Sequence, residues 1–210
     1  MRAVFVEVPP EVLLERRRHG LDLFDEMWEG ELHMTPMPSW YHQGISKKLA
    51  TYFELHWEEL GEGLCCPNVG VKFPGTADEE VAGEKVPRNY RGPDLVFLKT
   101  GHEDRVQGGW VVGPPDAVLE IRSPGDETYE KLPFYFALGI PEVIIVHRDS
   151  RAVELHERRP DAYERVPVET DGSVSSRVLT TSFRAERDST GGRTVLRVWR
   201  TDRPERVRFV

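Results

Sequence analysis

Two hydrophobic periods alternate along the chain. From about 39 to 60, Ile45, Leu49, Phe53 and Leu60 fall on one stripe at helical spacing, with Ser39 placed to cap the helix and Gly61 to end it. Before it, "PPEVLLERRRHG" predicts a short helix and "DEMWEGELHMTPMP" a hairpin turning at Glu29-Gly30. After it, "LCCPNVGVKF", "DLVFLK", "DAVLEIRS" and "EVIIVHRD" predict strands, the last three apolar enough to be central. Residues 75–92 and 100–114 read as polar, Gly-rich loops. In "DETYEKLPFYFALG" Pro133 is tolerable only in a first turn, so regular helix is expected from about Glu130 to the glycine at 139. The strand that follows should run parallel to the one before the helix. Beyond 150, "AVELHERR", "AYERVPVE", "SVSSRVL", "SFRAERD" and "TVLRVWR" alternate in the manner of a β-meander.

The expected fold is therefore α/β (α+β), with a mixed central sheet flanked by helices and a C-terminal β-meander. Residues 1–150 form the core and 151–210 a strand extension of the same domain. At 210 residues, 39% of them hydrophobic, the chain can bury one substantial core. No apolar run is long enough for a membrane span and the N-terminus lacks the pattern of a signal peptide, so a cytoplasmic location is expected. Cys65 and Cys66 are adjacent, without the spacing of a zinc site, and read as buried small apolar strand residues. The net charge of −8 is uneven: residues 1–150 carry 15 basic against 26 acidic side chains, and 151–210 carry 13 against 10. Such a body repels nucleic acid at long range, and any binding has to be local.

The candidate chemistry lies on two of the central strands. Asp94 opens "DLVFLK", and in "DAVLEIRS" period-2 alternation puts Asp116, Val118, Glu120 and Arg122 on one face. Acids on a covered strand are costly unless paired or metal-bound. Two carboxylates on neighbouring strands with a cation beside them suit Mg²⁺ held against a phosphodiester. Asp116 is a rival first acid, but lies about 13 Å from Glu120 along the strand, too far for one ion. His42 on the long helix is an accessory candidate. His102, Glu103 and Asp104 read as a solvated turn. Phosphate-loop, dinucleotide-binding, nucleophile-elbow and His-Glu-x-x-His motifs are all absent from the sequence.

In order along the chain, "EGELHMTPMPSWYHQGI", "GPDLVFL" and "PPDAVLEIRSPGDETYEKLPFYFALGIPEVIIV" resemble the Uma-type putative restriction endonucleases, a branch of the PD-(D/E)xK nuclease superfamily. The resemblance spans roughly residues 20–155. It implies a restriction-endonuclease-like core and a Mg²⁺- or Mn²⁺-dependent endonuclease acting on DNA, with Asp94 and Glu120 as metal ligands and the Ile121 carbonyl as a further oxygen. It also implies a role for Glu31 as an additional acid. Arg122 stands where the superfamily has lysine, and Lys131 on the next helix is its expected substitute. Arg122 can steady phosphate charge but cannot act as a base, whereas a lysine with a depressed pKa can. A homodimer is expected, since such nucleases often pair two sites across two strands. The competing expectation is an inactive nuclease-like module that binds nucleic acid or protein.

Overall fold

The computed structural model describes residues 3–5, 9–81, 84–188 and 192–210. Near-continuous apolar runs become strands covered on both faces, as their composition requires. Six strands form the central sheet: β1 (Gly63–Pro67), β2 (Leu95–Lys99), β3 (Ala117–Arg122), β4 (Glu142–His147), β5 (Val153–Arg158) and β6 (Tyr163–Arg165). Their spatial order is β6-β5-β4-β3-β2-β1. β3 and β4 are parallel, with Ala117 opposite Glu142, and the other pairs are antiparallel. The sheet is thus mixed, in a mixed α/β fold.

Helix α1 spans Pro10–Arg18 and α2 spans Trp40–Phe53. Ser39 caps α2, its side-chain oxygen accepting the His42 N–H at 3.3 Å. The helix continues as a π-helical turn, Glu54–Glu58. That wider turn keeps a strict four-residue stripe of Ile45, Leu49, Phe53 and Trp57 on the core, so Trp57 rather than Leu60 is the last large anchor. Helix α3, Leu132–Leu138, follows a 3₁₀ turn at Tyr129–Lys131; Pro133 sits in its first turn and Gly139 closes it at φ 92°, as the sequence requires.

Strand alternation divides the core in two. Leu95, Phe97, Leu119, Ile121 and Ile144 face α2 and a second sheet, while Val96, Leu98, Val118, Val143 and Ile145 face Phe134, Tyr135 and Leu138 of α3. The second sheet is the meander, with strands Val174–Ser176, Thr181–Arg187, Thr194–Arg200 and Val207–Phe209 in sequential order. It is held to β4 by Glu142, whose buried carboxylate accepts the Ser176 hydroxyl and the N–H groups of Arg177 and Val178. Among the described residues, no helix is long and apolar enough to cross a membrane.

Several expectations need correction. The stretch 75–92 is no open loop: Asp78–Val81 pairs with Glu84–Pro87, and Tyr90–Arg91 pairs with Val71–Lys72. Residues 100–114 contain a 3₁₀ turn, Glu103–Arg105, and the paired strands Val106–Gln107 and Trp110–Val112. These pairings are too short to leave a periodic signal. "LCCPNVGVKF" is two strands, split where Asn68 takes φ 54°. The first two strands after 150, β5 and β6, extend the central sheet rather than the meander. Ala3–Phe5 adds an unforeseen strand beside Glu31–Met34. Cys66 is exposed, because β1 is the sheet's edge.

Phe97 tests the larger core layer, since its ring meets Phe53 at 4.6 Å and Trp57 at 5.7 Å edge to face. Phe97→Ala is expected to lower the unfolding free energy by about 3–5 kcal/mol in a urea titration. A loss below about 1 kcal/mol, the scale of a surface change, would contradict this packing.

Candidate active site

The site forms where β2 and β3 part. The two strands pair only over Leu95–Phe97 and Ala117–Leu119, so the Ile121 N–H has no strand partner and donates to Asp94 Oδ2 at 2.6 Å. Amide and carbonyl of one strand residue leave on the same side, so the Ile121 carbonyl lies on the β3 edge that faces β2. The other Asp94 oxygen lies 3.3 Å from His42 Nε2, brought in by the first turn of α2.

Glu120 is almost fully buried on the α3 side of the sheet. Lys131 and Tyr135, four residues apart and therefore on one helical face, both reach it. The Tyr135 hydroxyl donates to Oε1, and Lys131 Nζ lies 3.2 and 3.4 Å from the two oxygens. The same ammonium is 2.7 Å from Glu26 Oε1. Glu26 comes from the hairpin Glu26–Trp28/Glu31–Met34, whose turn residues Glu29 and Gly30 take φ 55° and 95° as a tight two-residue hairpin needs. Its carboxylate accepts Gly92 N–H at 3.1 Å and the Trp28 indole at 2.7 Å.

Three carboxylates thus crowd one ammonium, leaving two excess negative charges when all are ionised and His42 is neutral (−3 + 1). Burial, with the charges of Asp94 and Glu26 added, pushes Glu120 up to about 8 against the opposing pull of Lys131 and Tyr135. For Lys131 burial acts downward, but Glu120, Glu26 and Asp94 outweigh it and raise its pKa. Burial likewise opposes protonation of His42, and the hydrogen bond and charge of Asp94, helped by Glu120 and Asp126, overcome it to raise the pKa.

Asp94, Glu120, Ile121, Lys131 and His42, all singled out in the sequence, line one cavity of about 750 Å³. Arg122 and Glu31 do not line it. Arg122 shares a strand face with Glu120 but sits two residues further along, over the Tyr129 ring at 4.9 Å. Glu31 pairs with Trp28 beside the hairpin turn, whereas Glu26 pairs with His33 at the open end that meets the site. Opposed strand residues share a face, so both acids point the same way about 7 Å apart. The alternation was readable; which hairpin end meets the sheet was not, and Glu26 was missed. Asp116 serves the far end of β3, accepting Lys99 N–H and meeting His102 Nδ1, each at 2.8 Å. His102 is therefore paired rather than purely solvated.

Among the described residues no three His, Cys, Asp or Glu side chains form a ready metal cluster. Among the oxygens lining the cavity, the Asp94 and Glu120 carboxylates and the Ile121 carbonyl are the ones that could hold a cation. Two carboxylates supplemented by neutral oxygens match the sparse protein ligation typical of Mg²⁺.

Comparison with solved structures finds a likeness to a putative nuclease belonging to DUF820 from Anabaena variabilis, with a TM-score of 0.55 at 17% identity over 74% of this chain and 82% of that one. At that identity the likeness concerns the fold. No curated protein matches. The model of the Uma2 family, described as putative restriction endonuclease, matches residues 19–187, a span that takes in the hairpin, the parting strands and α3 together. The chain belongs to the Uma2 putative restriction endonuclease family.

Proposed function

We propose that the protein is a Mg²⁺- or Mn²⁺-dependent endonuclease that hydrolyses DNA phosphodiester bonds in this cavity. The observation that carries the reading is the pair formed by Asp94, anchored on the Ile121 amide, and Glu120, buried one residue away with too few cations around it. A divalent ion held by Asp94, Glu120 and the Ile121 carbonyl would supply an acidified water and charge neutralisation at the phosphate. Lys131 keeps its proton on Nζ under the pull of Glu120 and Glu26. It therefore acts as a fixed positive charge towards the developing phosphorane and not as the base that a depressed lysine pKa would permit. Tyr135 orients the Glu120 carboxylate, and Glu26 holds Lys131 in place. Protonated His42 Nε2 can donate to Asp94 or to a phosphate oxygen. Arg122 and Glu31 have no part in the reading, since neither reaches the cavity.

The reading as a non-catalytic binding module has one observation in its favour: both carboxylates already have partners within the protein. Incubation with supercoiled plasmid and, in parallel, with single-stranded circular DNA separates the two. Cleavage that needs Mg²⁺ or Mn²⁺ is expected, with Asp94→Ala and Glu120→Gln each lowering the rate by about 100-fold or more. Equal nicking by wild type and both variants, or none by any of them, would overturn the nuclease reading.

The elevated pKa of Glu120 also sets a pH dependence. Between its ordinary value and about 8 the folded state holds a proton that the unfolded chain has released. Stability from this group is complete at low pH and is lost as pH rises through about 8. In metal-free buffer the wild type is expected to lose about 2–4 kcal/mol relative to Glu120→Gln between pH 5 and 8.5, read from urea midpoints. A difference that stays constant across that range would contradict the crowded-carboxylate account.

A further inference from the structure

Beside the cavity the protein leaves an unusual set of side chains in solvent. Trp40 is 87% exposed and Tyr41 70% exposed. They are the first two residues of α2, between Ser39 and His42, which both line the cavity. Met37 and Leu23, 72% and 73% exposed, add apolar side chains to the cavity wall itself. No core contact requires two large rings here, and their exposure is opposed by the hydrophobic effect.

The charge around them restricts what can cover them. Seven acids line the cavity (Asp22, Asp25, Glu26, Asp94, Glu120, Asp126 and Glu127) against Arg17, Lys131, Arg148 and His42. Each of these four is already paired: Arg17 with Asp22, Lys131 with Glu26 and Glu120, Arg148 with Asp149 and His42 with Asp94. A double helix brings one phosphate charge per about 1.7 Å of axis and keeps its base faces stacked away from the protein. Such a ligand meets repulsion here and gains nothing from the rings. An unpaired strand brings a lower charge density and offers flat, uncharged base faces, to which aromatic rings bind with little sequence preference.

We propose that the Trp40–Tyr41 rim is a base-stacking platform, and that the ligand delivered to the cavity is unpaired nucleic acid: a single strand, a flap or a frayed end. The inference deepens the nuclease reading and rests on it for the cleavage step, but stacking itself needs no chemistry. His42 joins the two, because the turn that exposes the rings also carries the imidazole that touches Asp94. A base stacked on the rim places its phosphate within about one helical turn of the cavity.

The test measures binding apart from cutting. On an Asp94→Ala background with Mg²⁺ present, fluorescence anisotropy follows a labelled oligothymidylate of about 20 nucleotides, alone and paired with its complement. The single strand is expected to bind at least about ten-fold tighter than the duplex, and Trp40→Ala with Tyr41→Ala to weaken it by about ten-fold or more. The exposure of both rings leaves folding intact, which the thermal melting temperature checks. Duplex binding as tight as or tighter than single-strand binding, no binding of either, or single-strand affinity indifferent to the rings would overturn the platform. So would a shift from dimer to monomer on ring removal with DNA affinity unchanged, because the rim would then be an interface between copies. Ring-dependent single-strand binding by a wild type that cuts no nucleic acid would leave the platform standing and refute only the nuclease reading.

Discussion

Burying charge without a partner costs several kcal/mol per ion, and removing one member of a buried pair costs as much again. Around Lys131 that constraint is met only in part: one ammonium serves Glu26 and Glu120 directly and Asp94 by proximity. The rest of the architecture is arranged about this point. The mixed sheet parts between β2 and β3 to free the Ile121 amide for Asp94. The first hairpin supplies Glu26, α2 supplies His42, and α3 supplies Lys131 and Tyr135 on one face.

Burial of an acid is not what distinguishes the site. Glu142 is at least as buried as Glu120, yet it meets only neutral donors, the Ser176 hydroxyl and two backbone amides, and ties two sheets together. Asp116 is also buried and holds the 100–114 segment through Lys99 N–H and His102. Both are satisfied one carboxylate at a time. The cavity differs in having three carboxylates that answer to one cation, next to open volume and an apolar rim. A site of this kind has a reason to take up positive charge, which a structural acid lacks.

Much of this was legible in the sequence because it is local or strictly periodic. The Ser39 cap, the Glu29-Gly30 turn, Pro133 in a first turn and the apolar central strands each carry their own physical signal. Period-2 alternation put Glu120 on a face with Val118. What failed was long-range or too short to be periodic. The two-residue strands in 71–112 are stabilised by neighbours distant in sequence. The π-helical turn that brings Trp57 inward breaks the 3.6-residue period. Glu31, implied by the resemblance, and Arg122 both lie off the cavity, Glu31 beside the hairpin turn and Arg122 two residues past Glu120 on the same strand. Alternation fixes the face of a side chain and leaves open which end of the strand meets the site.

The proposal that a divalent cation belongs between the Asp94 and Glu120 carboxylates rests on the negative charge in the cavity and on the hard oxygens of these residues and Ile121. A crystal of the protein grown with Mn²⁺ and measured for anomalous scattering addresses it directly. The account predicts a peak about 2.0–2.3 Å from oxygens of both Asp94 and Glu120, with water completing an octahedral shell. A cavity without such a peak at millimolar Mn²⁺, with Lys131 still bridging Glu26 and Glu120, would contradict it.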